Sequence, residues 1–465
     1  MKVVFCFHTN DHEFNIGIAF LDAALRRHKI ETDLVIFREI PGKQVDIPEE
    51  VVSRILTKSP TIIAFSIMTF NWTRVQKVVA LLRPKFDGLI LAGGYHTILC
   101  PEEVLGFPGI DAVCLGEGEQ PLLETLEFYN QHPLHEVPLI QGMRFKNASG
   151  DEGKDTTPWL LKRLEDLPYM DYEIFVREGD QPLNTKHIGI LSPAGIFSLS
   201  VITGRGCPFH CTYCNNSALM KIYGGAKLYV RRYSTNAALS NVQMIATRYQ
   251  PQFLEFLDET FTMNRAWTSK FCSQYSKAVG LPFSVMTRID RLDDEIVGLM
   301  ADSGLKLVSF GLECGDEDYR SKYLNRHMSN KLIKNGARIL KKHGIMVITF
   351  NMFGMPFETK DTLQRTIDLN EDIQPEVAIP FIYQPLPNTR LAQMAYDHKM
   401  VPPRSEERWD FCSPALDTPE LPASYVAEQM EVFRSRFSSQ SKVGHVYARL
   451  RAIAGTRPAS ALTEA

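Results

Sequence analysis

Cys207, Cys211 and Cys214 stand in a Cys-x3-Cys-x2-Cys spacing within Gly204 to Asn215, GRGCPFHCTYCN, directly after the apolar run Ser198 to Thr203. Three thiols within eight residues can point into one small volume if the backbone loops around it. Thiolates select soft metals, so zinc or an iron–sulfur cluster are the natural occupants. A structural zinc takes four protein ligands, often as two separated pairs. Here the fourth is missing locally, unless His210 or a distant residue supplies it. A cubane of four irons held by three thiolates would instead leave one iron free to bind something else.

A loop of this kind needs a scaffold, and the flanking sequence supplies one. From Ser198 onward, strands are expected at 198–203, 253–257, 283–286, 306–310, 346–350 and 377–382. Helical patterns fall between them at about 235–247, 265–278, 293–302, 330–343 and 360–371. Six βα units are fewer than the eight of a closed barrel and predict an open, partial (β/α)6 TIM-type barrel with its chemistry at the C-terminal strand ends. The cysteine loop follows the first of these strands. Asp258 and Glu259 follow the second, where a carboxylate can accept hydrogen bonds from an ammonium group or ribose hydroxyls. Arg288 follows the third and offers a fork for a carboxylate, and Glu313 follows the fourth. Gly354 to Thr359 and Pro385 to Thr389 follow the fifth and sixth. Each has a structural alternative: Asp258 and Glu259 capping the next helix, Arg288 pairing with Asp290, Gly-x-Pro as a turn.

Residues 1–130 alternate strands (2–7, 33–37, 61–65, 88–92, 111–114) with helices (16–28, 49–56, 72–82, 101–105, 120–129). Continuous apolar strands between amphipathic segments predict a parallel, doubly wound, Rossmann-like sheet covered on both faces. Ligands on such sheets sit beyond the carboxyl ends of the strands. The loops there hold Ser66 and Met68, Gly93-Gly94-Tyr95-His96, and Gly116-Glu117-Gly118-Glu119, whose glycines would let backbone approach a ligand closely. Residues 131–195, punctuated by Pro133, Pro138, Gly150, Gly153, Pro158 and Pro168, read as a linker, with a hairpin over Thr185 to Phe197. The barrel would occupy 196–395. Residues 396–465 would form a helical C-terminal segment, with an amphipathic helix over Ser424 to Phe437 and a frayed tail from Arg451; a stabilising helix is a better reading than a lid.

At the three cysteines, the preceding Gly-Arg-Gly and Tyr213, the chain resembles the radical S-adenosylmethionine (SAM) enzymes. That resemblance implies a 4Fe-4S cluster on Cys207, Cys211 and Cys214, with SAM on the open iron and Tyr213 backing the adenine. One electron from the cluster then gives a 5′-deoxyadenosyl radical. The strand-end motifs resemble the same group in the same order, which implies SAM contacts from Asp258, Glu259, Arg288 and Glu313. Two departures are Phe357 and Asn388, which stand where the resembled enzymes usually have Gly. Ser66-x-Met68, Gly93-Gly94 and Gly116-Glu117 resemble the cobalamin (vitamin B12)-binding domain fused ahead of many of these enzymes, and Leu164 to Tyr172 resembles their connecting segment. His12, in Asn10-Asp11-His12-Glu13-Phe14-Asn15, falls where many cobalamin domains place the lower cobalt ligand, although both flanking positions differ.

The expected activity is therefore that of a cobalamin-dependent radical SAM methyltransferase acting on an unactivated carbon of a small or medium-sized metabolite. Cys314 and Tyr383, near the barrel mouth, are candidate hydrogen-atom donors. Oxidative cyclisation or rearrangement without methyl transfer is the second expectation, and a non-catalytic corrinoid or iron–sulfur sensor the third. The net charge of −3 over 465 residues gives no electrostatic reason to expect nucleic acid, and no apolar run approaches the roughly 20 residues of a membrane span. Nine cysteines, an odd number with a cluster that must stay reduced, and no signal-peptide layout predict a cytoplasmic protein. Reduced flavodoxin or ferredoxin is the expected electron donor.

Overall fold

The computed structural model describes residues 1–9, 14–40, 44–146, 157–170, 172–178, 191, 194–402 and 413–455. The chain divides into two units, Met1–Leu183 with Ala218–Tyr229, and Asn184–Ser217 with Val230–Ala465.

The first unit is built on a seven-stranded sheet: β1 (Lys2–Thr9), β2 (Glu31–Ile40), β3 (Gln44–Val45), β4 (Ile62–Ser66), β5 (Leu89–Gly93), β6 (Ala112–Cys114) and β7 (Met143–Phe145), in the order β3-β2-β1-β4-β5-β6-β7. β1, β2, β4, β5 and β6 pair in parallel, as their uninterrupted apolar runs predict, and helices cover both faces. Val4, Cys6, Ile63, Phe65 and Ile90 are at most 2% exposed and pack against Val51, Ile55, Val75 and Val79 of the covering helices. The chain leaves β1 toward β2 on one side and returns to β4 on the other. The carboxyl ends of β1 and β4 therefore form the switch-point crevice of a doubly wound sheet.

The stretch expected to be a linker contributes structure to this unit. Met143–Phe145 adds an antiparallel edge strand to β6, too short for a period-2 signal to register. Tyr169 and Tyr172 are buried against Phe20 and Phe14. The close approach that Gly116 permits is made by the chain itself. The Glu117 N–H donates to the Trp159 carbonyl at 3.0 Å, and the Glu117 carboxylate accepts from the Leu161 N–H at 2.9 Å. A Cβ on residue 116 would meet the Trp159 carbonyl oxygen at 2.2 Å.

The second unit carries β8 (Ser198–Val201), a two-residue ribbon of β9 (Gly204–Arg205) with β10 (Arg231–Arg232), then β11 (Phe253–Phe256), β12 (Phe283–Met286), β13 (Leu305–Glu313), β14 (Met346–Phe353) and β15 (Val377–Ile382). The six long strands form one parallel sheet in chain order, with helices Thr235–Tyr249, Arg265–Ala278, Asp294–Asp302, Asn330–Lys342 and Lys360–Ile373 between successive strands. This is the expected six-strand partial barrel. Of the expected hairpin over Thr185 to Phe197, residues 185–190 and 192–193 lie outside the described residues. Ala194 closes a turn onto Leu191, and Leu191, Ala194 and Ile196 join an apolar cluster instead of a strand pair.

Two C-terminal helices complete the second unit. Ala423–Phe437 buries Val426, Met430, Phe433 and Phe437 against Phe353, Ile382 and the helix Lys360–Ile373, the stabilising alternative to a lid. Gln440–Ala454 sends Val446 and Leu450 against Phe253, Leu307, Met346 and Val377, near the strands' amino ends. The tail expected to fray from Arg451 is helical to Ala454 because Leu450 is fully buried and Arg451 donates to the Ala194 carbonyl at 2.8 Å. Residues 456–465 lie outside the described residues.

Gly116→Ala is expected to detach the Trp159 segment and cost about 1–3 kcal/mol, as other overpacked sites do. Urea unfolding monitored by circular dichroism measures the loss, and an unchanged midpoint would mean the segment is not held there.

Candidate active site

The cysteine loop is assembled by contacts from four directions. Thr203, at its start, donates its backbone N–H to both oxygens of Asp258 (3.1 and 3.0 Å) and its hydroxyl to one (2.7 Å). Arg232 lies 3.5 Å from Asp258, donates to the Phe261 and Thr260 carbonyls, and sits over Trp267 at 4.4 Å. Thr212, in the loop itself, donates its N–H to the Leu324 carbonyl and its hydroxyl to the Tyr323 carbonyl, and accepts from the Leu391 N–H. Asn325 donates to the His210 carbonyl at 2.9 Å. Such a loop is held from the strand ends, as the partial-barrel scaffold predicts.

Cys207 lies 4.0 Å from the Thr260 hydroxyl, Cys214 3.7 Å from the Asn216 amide, and Cys211 is buried. Burial raises the Cys207 thiol and pushes Cys214 to about 12, with the neighbouring cysteines adding to both. Two guanidiniums converge on Cys211, Arg288 Nη1 at 3.8 Å and Arg326 Nη1 at 3.7 Å. Arg326 also donates to the Tyr213 hydroxyl at 3.3 Å and the Gly311 carbonyl at 2.5 Å, while Tyr213 donates to Glu313 Oε1 at 2.9 Å. Glu313 sits at φ +67°, at a register shift between β13 and β14, and folds its carboxylate back over Gly311, where a Cβ would meet Oε1 at 2.0 Å. Burial raises the Glu313 carboxyl, and Arg326, Tyr213 and Arg288 oppose that rise. Glu259, hydrogen-bonded by the Gly206 backbone, is pushed to about 7 by burial.

Several expectations change at this point. The Arg288 fork is not open to a ligand carboxylate. Nε and Nη2 bind Asp290 at 3.0 and 2.8 Å, and Phe209 lies 3.9 Å from the guanidinium carbon, leaving Nη1 toward Cys211. Asp258 does not offer a free carboxylate at the mouth, because Thr203 and Arg232 take both oxygens. Cys314 is fully buried in an apolar cluster with Tyr319, Met355 and Leu416, and its thiol is pushed to about 12 by burial. Tyr383 belongs to the same cluster, which Tyr213 packs against, and its buried hydroxyl has no hydrogen-bond partner among the described residues. His210, the local option for a fourth metal ligand, is exposed. Arg326 was missed altogether. It lies in a polar loop with no motif around it, and only the fold brings it to the cysteines.

Phe357 and Asn388 adopt left-handed backbone, φ +63° and +59°, which accounts for glycine at those places in the resembled enzymes. A bulky residue there is strained by about 1–2 kcal/mol. Phe357 is held by stacking on Tyr323 and an edge contact with His398, both at 4.9 Å.

In the first unit, Ser66 ends β4 and accepts from Asn15 at 3.2 Å, and Met68 starts a turn closed onto Asn71. Both are half-buried, as is Gly93 at the end of β5. Gly94, at φ +95°, is pressed by the Ile67 backbone, so its close approach, like that of Gly116 with Glu117, serves the chain. His12 lies outside the described residues.

Three cysteine thiols from one loop are a soft donor set that fits an iron–sulfur cluster. Two guanidiniums beside one sulfur suit a ligand set carrying net negative charge.

These features define a two-domain α/β enzyme: a doubly wound sheet, and a parallel partial barrel with three thiols at its mouth. Residues 201–369 match the family profile of the Radical SAM superfamily, and residues 4–126 that of the B12 binding domain. The chain belongs to the radical SAM enzymes that carry an N-terminal B12-binding domain, and its cofactors are a 4Fe-4S cluster, SAM and cobalamin. It is 22% identical over 432 residues to a Pyrococcus horikoshii protein named as an uncharacterized methyltransferase, covering 92% of this chain and 88% of that one. It is 24% identical to the anaerobic magnesium-protoporphyrin IX monomethyl ester cyclase of Rubrivivax gelatinosus, over 80% of this chain and 66% of that one. Among solved structures, the radical SAM methyltransferase TsrM from Kitasatospora setae shares the fold at a TM-score of 0.69 and 15% identity, covering 97% of this chain and 88% of that one.

Two outcomes are expected. In cluster-reconstituted protein, Arg326→Gln lowers the cluster's midpoint potential by on the order of 100 mV, the size of a Coulomb interaction of roughly 3 kcal/mol over about 6 Å at an effective dielectric near 20. Arg326→Lys keeps most of it, and a redox titration followed by electron paramagnetic resonance decides. The second concerns Glu358, whose Oε2 accepts from the Gly354 and Met355 N–H groups at 2.7 and 3.0 Å, while Oε1 is buried without a partner among the described residues. Burial pushes this carboxyl from 4.5 to about 8. Between those values the folded chain holds a proton that the unfolded chain has lost, so this group's stabilising contribution falls as pH rises. Unfolding midpoints of wild type and Glu358→Gln are expected to diverge across that window in favour of the variant, and parallel curves would refute the assignment.

Proposed function

We propose that the chain is a cobalamin-dependent methyltransferase that uses a 5′-deoxyadenosyl radical to methylate an unactivated carbon of a small or medium-sized metabolite. The observation that carries the reading is the joining, in one chain, of a B12-binding domain to a radical SAM domain with three cysteines at its mouth. A full-length relative named as a methyltransferase and the fold of TsrM support it.

Cys207, Cys211 and Cys214 hold the cluster, and Tyr213, Glu259, Glu313 and Arg288 line the SAM site, with Asp258 positioning the loop. Ser66, Met68, Gly93, Gly94, Gly116 and Glu117 belong to the corrinoid domain, residues 1–130, and the radical domain spans 196–395. When bound, the cluster supplies the electron that cleaves SAM, and cobalamin supplies the methyl carrier. Arg326 and Arg288 offset charge on the Cys211 sulfur. Tyr213 is fixed through its hydroxyl by Glu313 and Arg326. Tyr383 and Cys314, buried in one apolar cluster, are the proposed hydrogen-atom donors only for a substrate radical that is not methylated, the resulting tyrosyl or thiyl radical being reduced by the electron donor. Apolar packing around them keeps water from a radical. Reduced flavodoxin or ferredoxin is the proposed electron donor and the cytoplasm the proposed location. No helix among the described residues is long and apolar enough to cross a membrane.

The cyclase relative favours a second reading, oxidative cyclisation without methyl transfer. Anaerobic incubation of reconstituted protein with SAM, reductant, cobalamin and a cell extract, followed by mass spectrometry, separates the two. A metabolite gaining one methyl mass supports methylation; a product losing hydrogen without that gain supports cyclisation. 5′-Deoxyadenosine is expected from wild type and from none of Cys207→Ala, Cys211→Ala or Cys214→Ala. Failure of wild type to form it under these conditions would favour a sensor.

A further inference from the structure

Beyond β5, the chain carries a second group of metal-type donors that the three cysteines do not involve. His96, in the helix Tyr95–Leu99, and Cys100 and Glu103, at the start of the helix Pro101–Gly106, each offer one ligand atom. The nitrogen, sulfur and carboxylate oxygen all lie within 4.8 Å of one another. Cys100 is the non-helical residue (φ −132°, ψ 54°) between the two helices, four positions after His96 and three before Glu103.

His96 is 3% exposed, and neither of its ring nitrogens has a hydrogen-bond partner among the described residues. Leaving a buried imidazole unpartnered costs free energy, so its environment asks for a ligand. Its Nε2 stands 3.7 Å from Glu103 Oε2, longer than a hydrogen bond and close to the roughly 3.4 Å between two donors on one tetrahedral zinc. The other carboxylate oxygen, Oε1, accepts from Trp72 Nε1 at 2.7 Å. That bond orients the carboxylate and leaves Oε2 facing the ring, the arrangement by which outer groups fix metal ligands. Glu103 is half exposed, which gives an ion and its remaining water a path to the site.

We propose that His96, Cys100 and Glu103 bind one divalent transition-metal ion of the zinc type, with water completing the coordination. One nitrogen, one sulfur and one oxygen suit zinc, whereas calcium and magnesium select oxygen alone. Binding replaces the Cys100 thiol proton, which leaves to solvent, with a sulfur–metal bond; His96 ligates as the neutral ring and nothing is oxidised or reduced. The ion ties the two short helices after β5 together, and through Trp72 to the helix Trp72–Leu82 that follows β4. It is a clip between the strand-end loops of the first unit.

The test uses full-length protein with its iron–sulfur cluster reconstituted, so that Cys207, Cys211 and Cys214 are occupied. The protein is equilibrated with zinc chloride, desalted, and its zinc measured by plasma mass spectrometry. One zinc per chain is expected in wild type and none in Cys100→Ala, a substitution at a half-buried position that removes only the sulfur. Trp72→Phe, which keeps the ring and loses the N–H, is expected to weaken zinc binding about ten- to a hundredfold. X-ray absorption at the zinc edge should show one sulfur among nitrogen or oxygen neighbours. Equal zinc in wild type and Cys100→Ala, or a shell of three sulfurs marking displacement of cluster iron, would overturn the site in favour of a simple His96–Glu103 polar pair.

Discussion

Bringing three thiols and two carboxyls into one desolvated mouth is costly, and the second unit is organised around lowering that cost. Burial alone drives Cys207, Cys214, Glu259 and Glu313 toward their protonated forms. Arg326 and Arg288 supply the opposing charge, and burial does not strip Arg326 of its proton because Tyr213, Cys211 and Glu313 favour its cationic form. Removing one arginine leaves a buried sulfur and a carboxylate less compensated, which is worse than never having buried the pair. The arginines are themselves held by Asp290, Phe209 and the Gly311 carbonyl, so the charge is pre-placed rather than recruited.

That arrangement explains which parts of the chain could be read without coordinates. Cysteine spacing is local, so Cys207, Cys211 and Cys214 were legible from their own neighbourhood. The six strands and five intervening helices flanking them were legible too, because a buried parallel strand is a continuous apolar run whatever it packs against. Arg326 was not, since it reaches the site only when the loop after Glu317–Lys322 folds across β13. Asp258 and Arg288 stand at the expected strand ends, where their partners within the chain are Thr203 with Arg232, and Asp290. A carboxylate or guanidinium at a barrel mouth looks the same in sequence whether it greets a ligand or, as here, Thr203 and Asp290.

Glycine was ambiguous for a related physical reason. A missing Cβ permits close approach without saying what approaches. At Gly94 and Gly116 the visitor is the backbone of Ile67 and of Trp159, and at Gly311 it is the carboxylate of Glu313. The informative positions were those that break the expectation. Phe357 and Asn388 hold left-handed backbone that glycine would adopt without strain. Phe357 keeps it by stacking on Tyr323, whose carbonyl in turn anchors Thr212 of the cysteine loop. The departure thus adds an aromatic wall within one residue of a loop anchor, where a glycine would leave space.

The barrel interior carries the same logic to its two ends. Successive residues of a strand face opposite ways, and along β14 the less buried positions are Ile348, Phe350 and Met352. Ile348 packs with Leu307, Val446 and Leu450, where the last helix fills the space between the strands' amino-terminal halves. Phe350 lies one step further toward the carboxyl end, 5.9 Å from Phe381, which is 37% exposed. The apolar plug closes one end, and the buried Glu255 carboxylate there accepts from the Leu191 N–H and the Ser200 hydroxyl. Met352, one step further along β14, packs against the apolar cluster of Cys314 and Tyr383. The polar groups of the carboxyl end stand on the strand-end loops, Glu259 after β11 and Glu313 at the end of β13.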